Sequence, residues 1–152
     1  MTQPGGQDAN GPQGRKDLVL PPDPPRPATI LVAEDDEMMR KFMCAVLRGQ
    51  GYTVLEAKDG ATAETLATKY GVPANLLLTD YVMPDYTGPE LARLLRAKNP
   101  NLKVLIVSGH VDTGEVQRGV LKVVFKEGAA FLQKPFTADD LARKVRAVLL
   151  TG

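Results

Sequence analysis

From Thr29 onward, short apolar runs alternate with stretches in which apolar residues recur every three or four positions. TILVA (Thr29–Ala33) is a continuous apolar run of strand length. Glu37–Arg48 carries Met39, Phe42, Met43 and Val46 at helical spacing, and Gly49 and Gly51 stop it. YTVLEA (Tyr52–Ala57) predicts a second strand, and Asp59 caps a helix running to about Tyr70. NLLLTD (Asn75–Asp80) predicts the third strand. Thr87, with Glu90 three residues on, forms a capping box that opens a helix to about Lys98. KVLIVSG (Lys103–Gly109) predicts the fourth strand, Asp112–Lys126 a longer and less regular helix, and AAFLQK (Ala129–Lys134) the fifth strand. Thr137 caps a last helix with Leu141, Val145, Val148 and Leu149 on one face. No internal repeat is present.

Five apolar strands alternating with five helical patterns predict an α/β fold, a parallel sheet covered on both faces by helices. Right-handed crossovers leave few topologies, and ligands of such sheets gather at the carboxyl ends of the strands.

Residues 1–27 have a different character. Gln3, Gly5, Gly6, Gln7, Asn10, Gly11, Gln13 and Gly14 can bury little, and PPDPPRP (Pro21–Pro27) favours extended polyproline II backbone. The stretch reads as a disordered Pro/Gly-rich tail or linker ahead of a domain over 28–152. DLVL (Asp17–Leu20) is taken as part of that linker.

Composition narrows the classes. The chain has 152 residues, 43% hydrophobic and 24% charged, which suits one soluble globular domain. Lys and Arg total 19 against 18 Asp and Glu, so no basic field for nucleic acid exists. No run approaches the ~18 apolar residues of a membrane span, and the N-terminus lacks the apolar core of a secretory signal. The one cysteine, Cys44, excludes an intrachain disulfide and a cysteine-based zinc site; in a helical pattern it reads as a small buried hydrophobe. A cytoplasmic setting fits these features.

The strand ends change the picture most. The first strand ends in Glu34 and Asp35, the third in Asp80, the fourth in Ser108 and the fifth in Lys134. Each alone has a plain reading: helix N-terminal acids, a turn residue before Pro84, a loop hydroxyl, a solvated or paired lysine. Together they would set three carboxylates, a hydroxyl and an ammonium on one rim. Close carboxylates repel, and oxygen-only ligands suit a hard cation such as Mg²⁺. A carboxylate between such an ion and a lysine can be a nucleophile toward phosphorus, giving an acyl phosphate.

ILVAEDDEMMR, LLLTDYVMPDYTG, VLIVSGH and FLQKPF, in that order, resemble the motifs of the response-regulator receiver domain of two-component signalling. The resemblance covers about Ala28 to Gly152. It implies a doubly wound, flavodoxin-like sheet of strand order 2-1-3-4-5. It implies that Glu34, Asp35, Asp80 and the backbone carbonyl of Val82 hold Mg²⁺. Asp80 would take a phosphoryl group from a sensor histidine kinase or phosphotransfer protein, with Ser108 and Lys134 on the phosphoryl oxygens. Phe131 matches the aromatic switch position, beside the plainer reading of a core aromatic, and Pro135 stands where the family often has a cis bond. The chain would then be a phosphoacceptor that alters a protein-binding surface for a downstream protein target. It would not be an enzyme beyond assisting its own phosphorylation and dephosphorylation, and it would contact neither nucleic acid nor membrane.

Two departures stand out. The spacing from Ser108 to Lys134 is longer than in familiar receivers, around Gly119–Ala129, and resembles receivers at the C-terminus of hybrid histidine kinases. Val82 puts an apolar side chain beside the site, where it orients water poorly, so a long-lived phosphoryl group is expected. His110, the only histidine, reads first as an exposed loop residue. Two other readings stay open here. One is a Mg²⁺-dependent phosphohydrolase with an aspartyl nucleophile, disfavoured because Val82 occupies the place of a second acid. The other is a receiver-like interaction module indifferent to phosphorylation.

Overall fold

The apolar runs form the five strands of one parallel sheet in a computed structural model describing residues 28–69, 73–109, 119, 122, 126 and 128–151. The proposed tail, His110 and most of the helix predicted over 112–126 lie outside these residues; 119, 122 and 126 are helical. The strands are β1 (Thr29–Ala33), β2 (Thr53–Ala57), β3 (Leu76–Asp80), β4 (Lys103–Ser108) and β5 (Ala130–Gln133). The helices with defined bounds are α1 (Glu37–Gly49), α2 (Gly60–Lys69), α3 (Gly88–Lys98) and α4 (Ala138–Leu150). Sheet order is β2-β1-β3-β4-β5, as the resemblance implied.

Strand periodicity divides the core in two, because successive side chains point to opposite faces. Ile30, Val32, Leu76, Leu78, Leu105 and Val107 pack against α1 and α4 through Met43, Leu47, Leu141 and Val145. Leu31, Ala33, Leu77, Val104 and Ile106 pack on the other face against Ala63, Leu91 and Leu95 of α2 and α3. Strands buried on both faces must read as unbroken apolar runs, and these do.

The caps behave as their chemistry requires. Thr87 accepts from the Glu90 N–H at 3.2 Å while Glu90 accepts from the Thr87 N–H at 2.8 Å. Thr137 and Asp140 form the same box at α4. The end of α1 is set by Gly51, whose φ of 95° suits a residue without Cβ. The face of α1 differs from the expectation. Met43, Cys44 and Leu47 are its buried residues, Met39 and Val46 pack at the edge, and Phe42 is 39% exposed. At about 100° per residue the centre of the buried stripe falls near residues 43, 44 and 47, so Phe42 sits on its flank. Its ring lies 6.3 Å from that of Phe136.

Candidate functional site

Parallel register brings the strand ends together. Ala33 is opposite Thr79, Asp80 opposite Val107, and Ser108 opposite Gln133. The residue that follows each apolar run is therefore delivered to the same edge. Glu34 is fully buried there, Asp80 is half-buried and Asp35 is exposed; one carboxylate oxygen from each lies within 4.8 Å of the others. Lys134 reaches in from the end of β5. Its Nζ donates to Glu34 Oε1 at 2.9 Å and stands 3.5 Å from Asp80 Oδ2. The lysine's backbone is fixed by its N–H to the Ser108 carbonyl at 2.8 Å, and the Lys134–Pro135 peptide is cis.

Electrostatics follow from crowding. Burial pushes the Glu34 carboxyl up to about 7; Lys134's hydrogen bond pulls against this and the charge of Asp80 adds to it. Burial pulls Lys134 down, but its hydrogen bond to Glu34 and the charge of Asp80 outweigh that and hold it above its ordinary value. Glu34 also accepts the Asp36 N–H on Oε2 at 3.1 Å, and Asp80 Oδ1 accepts the Tyr81 N–H at 2.8 Å. Glu34 and Asp80 thus share one ammonium, and the third carboxylate, Asp35, lies on the solvent side. An oxygen-only donor set with an excess of negative charge and an open approach fits a hard divalent cation.

Ser108 is buried at the end of β4. Phe131 pairs with Ile106 in register and is partly buried against the Leu31–Ile106 layer. Strand alternation puts Ser108 on the same sheet face as Ile106, so Ser108 and Phe131 border one layer. Val82 lies in the loop after β3, bridged to Thr87, with 64% of its surface exposed.

Some site residues were not legible in the sequence. Arg40 of α1 binds Glu56 of β2 through Nε at 2.9 Å and the Glu34 carbonyl through a terminal nitrogen at 3.0 Å, tying helix and strand behind the acids. Asp36, not Glu34 or Asp35, is the cap of α1, accepting the Met38 N–H at 3.1 Å. Asp85, which the sequence pattern does not single out, accepts the N–H groups of Gly60 and Ala61 across 25 and 24 residues. Only the Asp36 cap carries a local signal, an acid immediately ahead of a helical pattern.

Known proteins resemble the chain in sequence and fold. The response regulator receiver domain family matches residues 30–146. The sensor kinase CckA of Brucella abortus is 34% identical over 80% of this chain, which corresponds to 12% of that kinase's length. The response regulator receiver protein CpdR of the same organism is 36% identical over 81% of this chain and 98% of its own. Among solved structures, the receiver domain of the hybrid histidine kinase CckA superposes with a TM-score of 0.65 at 30% identity, covering 80% of this chain and 99% of that one. A response regulator receiver domain protein from Clostridium thermocellum gives 0.68 at 28% identity, covering 80% and 94%.

Proposed function

Since the chain belongs to the response regulator receiver domain family of two-component signalling, we propose that residues 28–152 act as a single-domain phosphoacceptor that takes a phosphoryl group onto Asp80. Receiver domains are typically signalling modules without enzymatic turnover, and the family match over residues 30–146 leaves residues 1–27 outside the module. The observation that carries the proposal is the reach of one buried-edge lysine to two strand-end carboxylates, Lys134 to Glu34 and to Asp80. A lysine so placed neutralises the resting site and can meet the oxygens of an incoming phosphoryl group.

The donor is a phosphohistidine of a sensor kinase or phosphotransfer protein. An Asp80 carboxylate oxygen attacks phosphorus, the P–O bond forms as the P–N bond breaks, and the imidazole nitrogen keeps the electron pair. Glu34, Asp35, Asp80 and the Val82 carbonyl would hold Mg²⁺, which neutralises charge on the transferring oxygens. Lys134 shifts from sharing Asp80 to binding the phosphoryl. Ser108 hydrogen-bonds another of its oxygens and so vacates space for Phe131 to turn inward. The result is a population shift of the surface made by the helix predicted over 112–126, β5 and α4, driven by contacts made in one state only. That surface meets a downstream protein, and the apolar Val82 lets the phosphoryl persist.

The likeness to CpdR, covered over nearly its whole length, supports the single-domain reading, and the likeness to the CckA kinase supports a histidine-kinase donor. The test is incubation with Mg²⁺ and a small phosphodonor, followed by mass spectrometry of proteolytic fragments. A mass increase of one phosphoryl on the peptide bearing Asp80, absent in Asp80→Asn and without Mg²⁺, is expected. Modification elsewhere, or none, would overturn the proposal.

A further inference from the structure

The loop from Asp80 to Gly88 is closed on itself and fastened at two outside points. Within it, the Met83 N–H bonds the Tyr86 carbonyl at 3.1 Å, and the Gly88 N–H bonds the Tyr81 carbonyl at 2.7 Å. A Cβ on Gly88 would lie 2.6 Å from the Asp80 carbonyl oxygen, so the loop's two ends touch. Met83 anchors it in the core beneath. The second fastening is to α2. Asp85 accepts the Gly60 N–H at 3.1 Å on one oxygen and the Ala61 N–H at 2.9 Å on the other. The Tyr86 ring lies on Gly60, where any Cβ would come within 2.1 Å of it, and its hydroxyl donates to Glu64 at 3.2 Å.

A helix N-terminus needs caps, and α2 has its own. Asp59 accepts the Thr62 N–H at 2.7 Å. Asp85 takes the two N–H groups ahead of Thr62, from a loop some 25 residues away in sequence. A local residue would have capped α2 with less ordering of the chain. The extra bonds therefore have their main consequence in the loop, which carries Val82 between its closed ends. We infer that Asp85 is a positioning residue: by gripping the start of α2 it holds the Asp80–Gly88 loop in the conformation that presents the Val82 carbonyl to a divalent cation at Glu34, Asp35 and Asp80. This rests on the metal site proposed above. Because coupling is reciprocal, a cation at the acids tightens the start of α2.

Asp59 supplies the control, since Asp59→Ala weakens the same helix end without touching the loop. The experiment is Mg²⁺ titration by amide NMR with hydrogen exchange, on wild type, Asp85→Ala, Tyr86→Phe and Asp59→Ala, with thermal unfolding of each. Supporting partners of a metal site typically matter by 10- to 100-fold, so Asp85→Ala is expected to weaken Mg²⁺ binding about tenfold. Tyr86→Phe, losing one bond, should have a smaller effect of the same sign. In Asp85→Ala the Met83 and Gly88 amides should exchange faster even without metal, and Mg²⁺ should no longer slow exchange at Gly60 and Ala61. Asp59→Ala should lower the unfolding temperature as much while keeping Mg²⁺ affinity within about twofold. Equal Mg²⁺ affinity in Asp85→Ala and wild type, or equal loss in Asp85→Ala and Asp59→Ala, overturns the inference. A wild type that binds no Mg²⁺ at the three acids overturns the metal site itself, and unchanged loop exchange in Asp85→Ala then removes the clamp as well.

Discussion

Glu34 is a costly residue to bury. It is a carboxylate wholly buried beside a second carboxylate, held by one lysine and one backbone N–H. In the metal-free protein its carboxyl lies near 7, above its usual 4.5, so between those values the folded state holds a proton that the unfolded chain has lost. The contribution is fully present below about 4.5 and is lost as pH rises through 7. Denaturation midpoints in a chelator should therefore fall from pH 5 to pH 8 more steeply for wild type than for Glu34→Gln. Parallel curves would show that the folded state does not hold that proton. Cys44 illustrates the opposite kind of residue. It is buried in the α1 layer, as its place in a helical pattern predicted, and burial pushes its thiol up to about 11, so it is inert packing.

Elements take their bounds from local chemistry. Thr87 and Thr137 start helices because each has an acid three residues on, and the structure contains both boxes. β1 has the predicted bounds, and β3 begins one residue later than predicted, with the Asn75 side-chain oxygen instead accepting the Thr29 N–H at 2.7 Å. Helix faces are less legible than helix extents. Spacing puts Phe42 on the apolar face of α1, yet it is 39% exposed, because the stripe's centre depends on where the sheet meets the helix. Leu141 of α4 lies at the centre of such a contact, fully buried among β-strand and α1 side chains. Leu141→Ala is expected to cost ~2–5 kcal/mol in urea unfolding. A loss under about 1 kcal/mol would mean that α4 contributes little to that layer.

At the scale of the whole molecule, site and stability are one problem. The acids are gathered by the sheet, and their repulsion acts on the whole fold. A ligand that binds only the folded state stabilises it by mass action, ~2.7 kcal/mol at about a hundredfold its dissociation constant. Saturating Mg²⁺ should thus raise the unfolding temperature by several degrees, and Asp35→Asn should abolish most of the rise. An unchanged temperature in wild type would speak against a cation at this edge. Among the described residues no helix is long and apolar enough to cross a membrane.

The sequence by itself determined the alternation of strands and helices, and through it the rim. A parallel sheet must put the residues that follow its apolar runs at one edge, so Glu34, Asp35, Asp80, Ser108 and Lys134 could be gathered from spacing alone. The order of the strands came from family resemblance, since each run is equally apolar. Only the tertiary structure decided which acid Lys134 prefers, that Arg40 braces Glu34 from behind, and that Asp85 caps a helix 25 residues away. Those contacts join residues with no common period along the chain. Their geometry is set by how helices lie against the sheet, and no local pattern of polar and apolar positions encodes it.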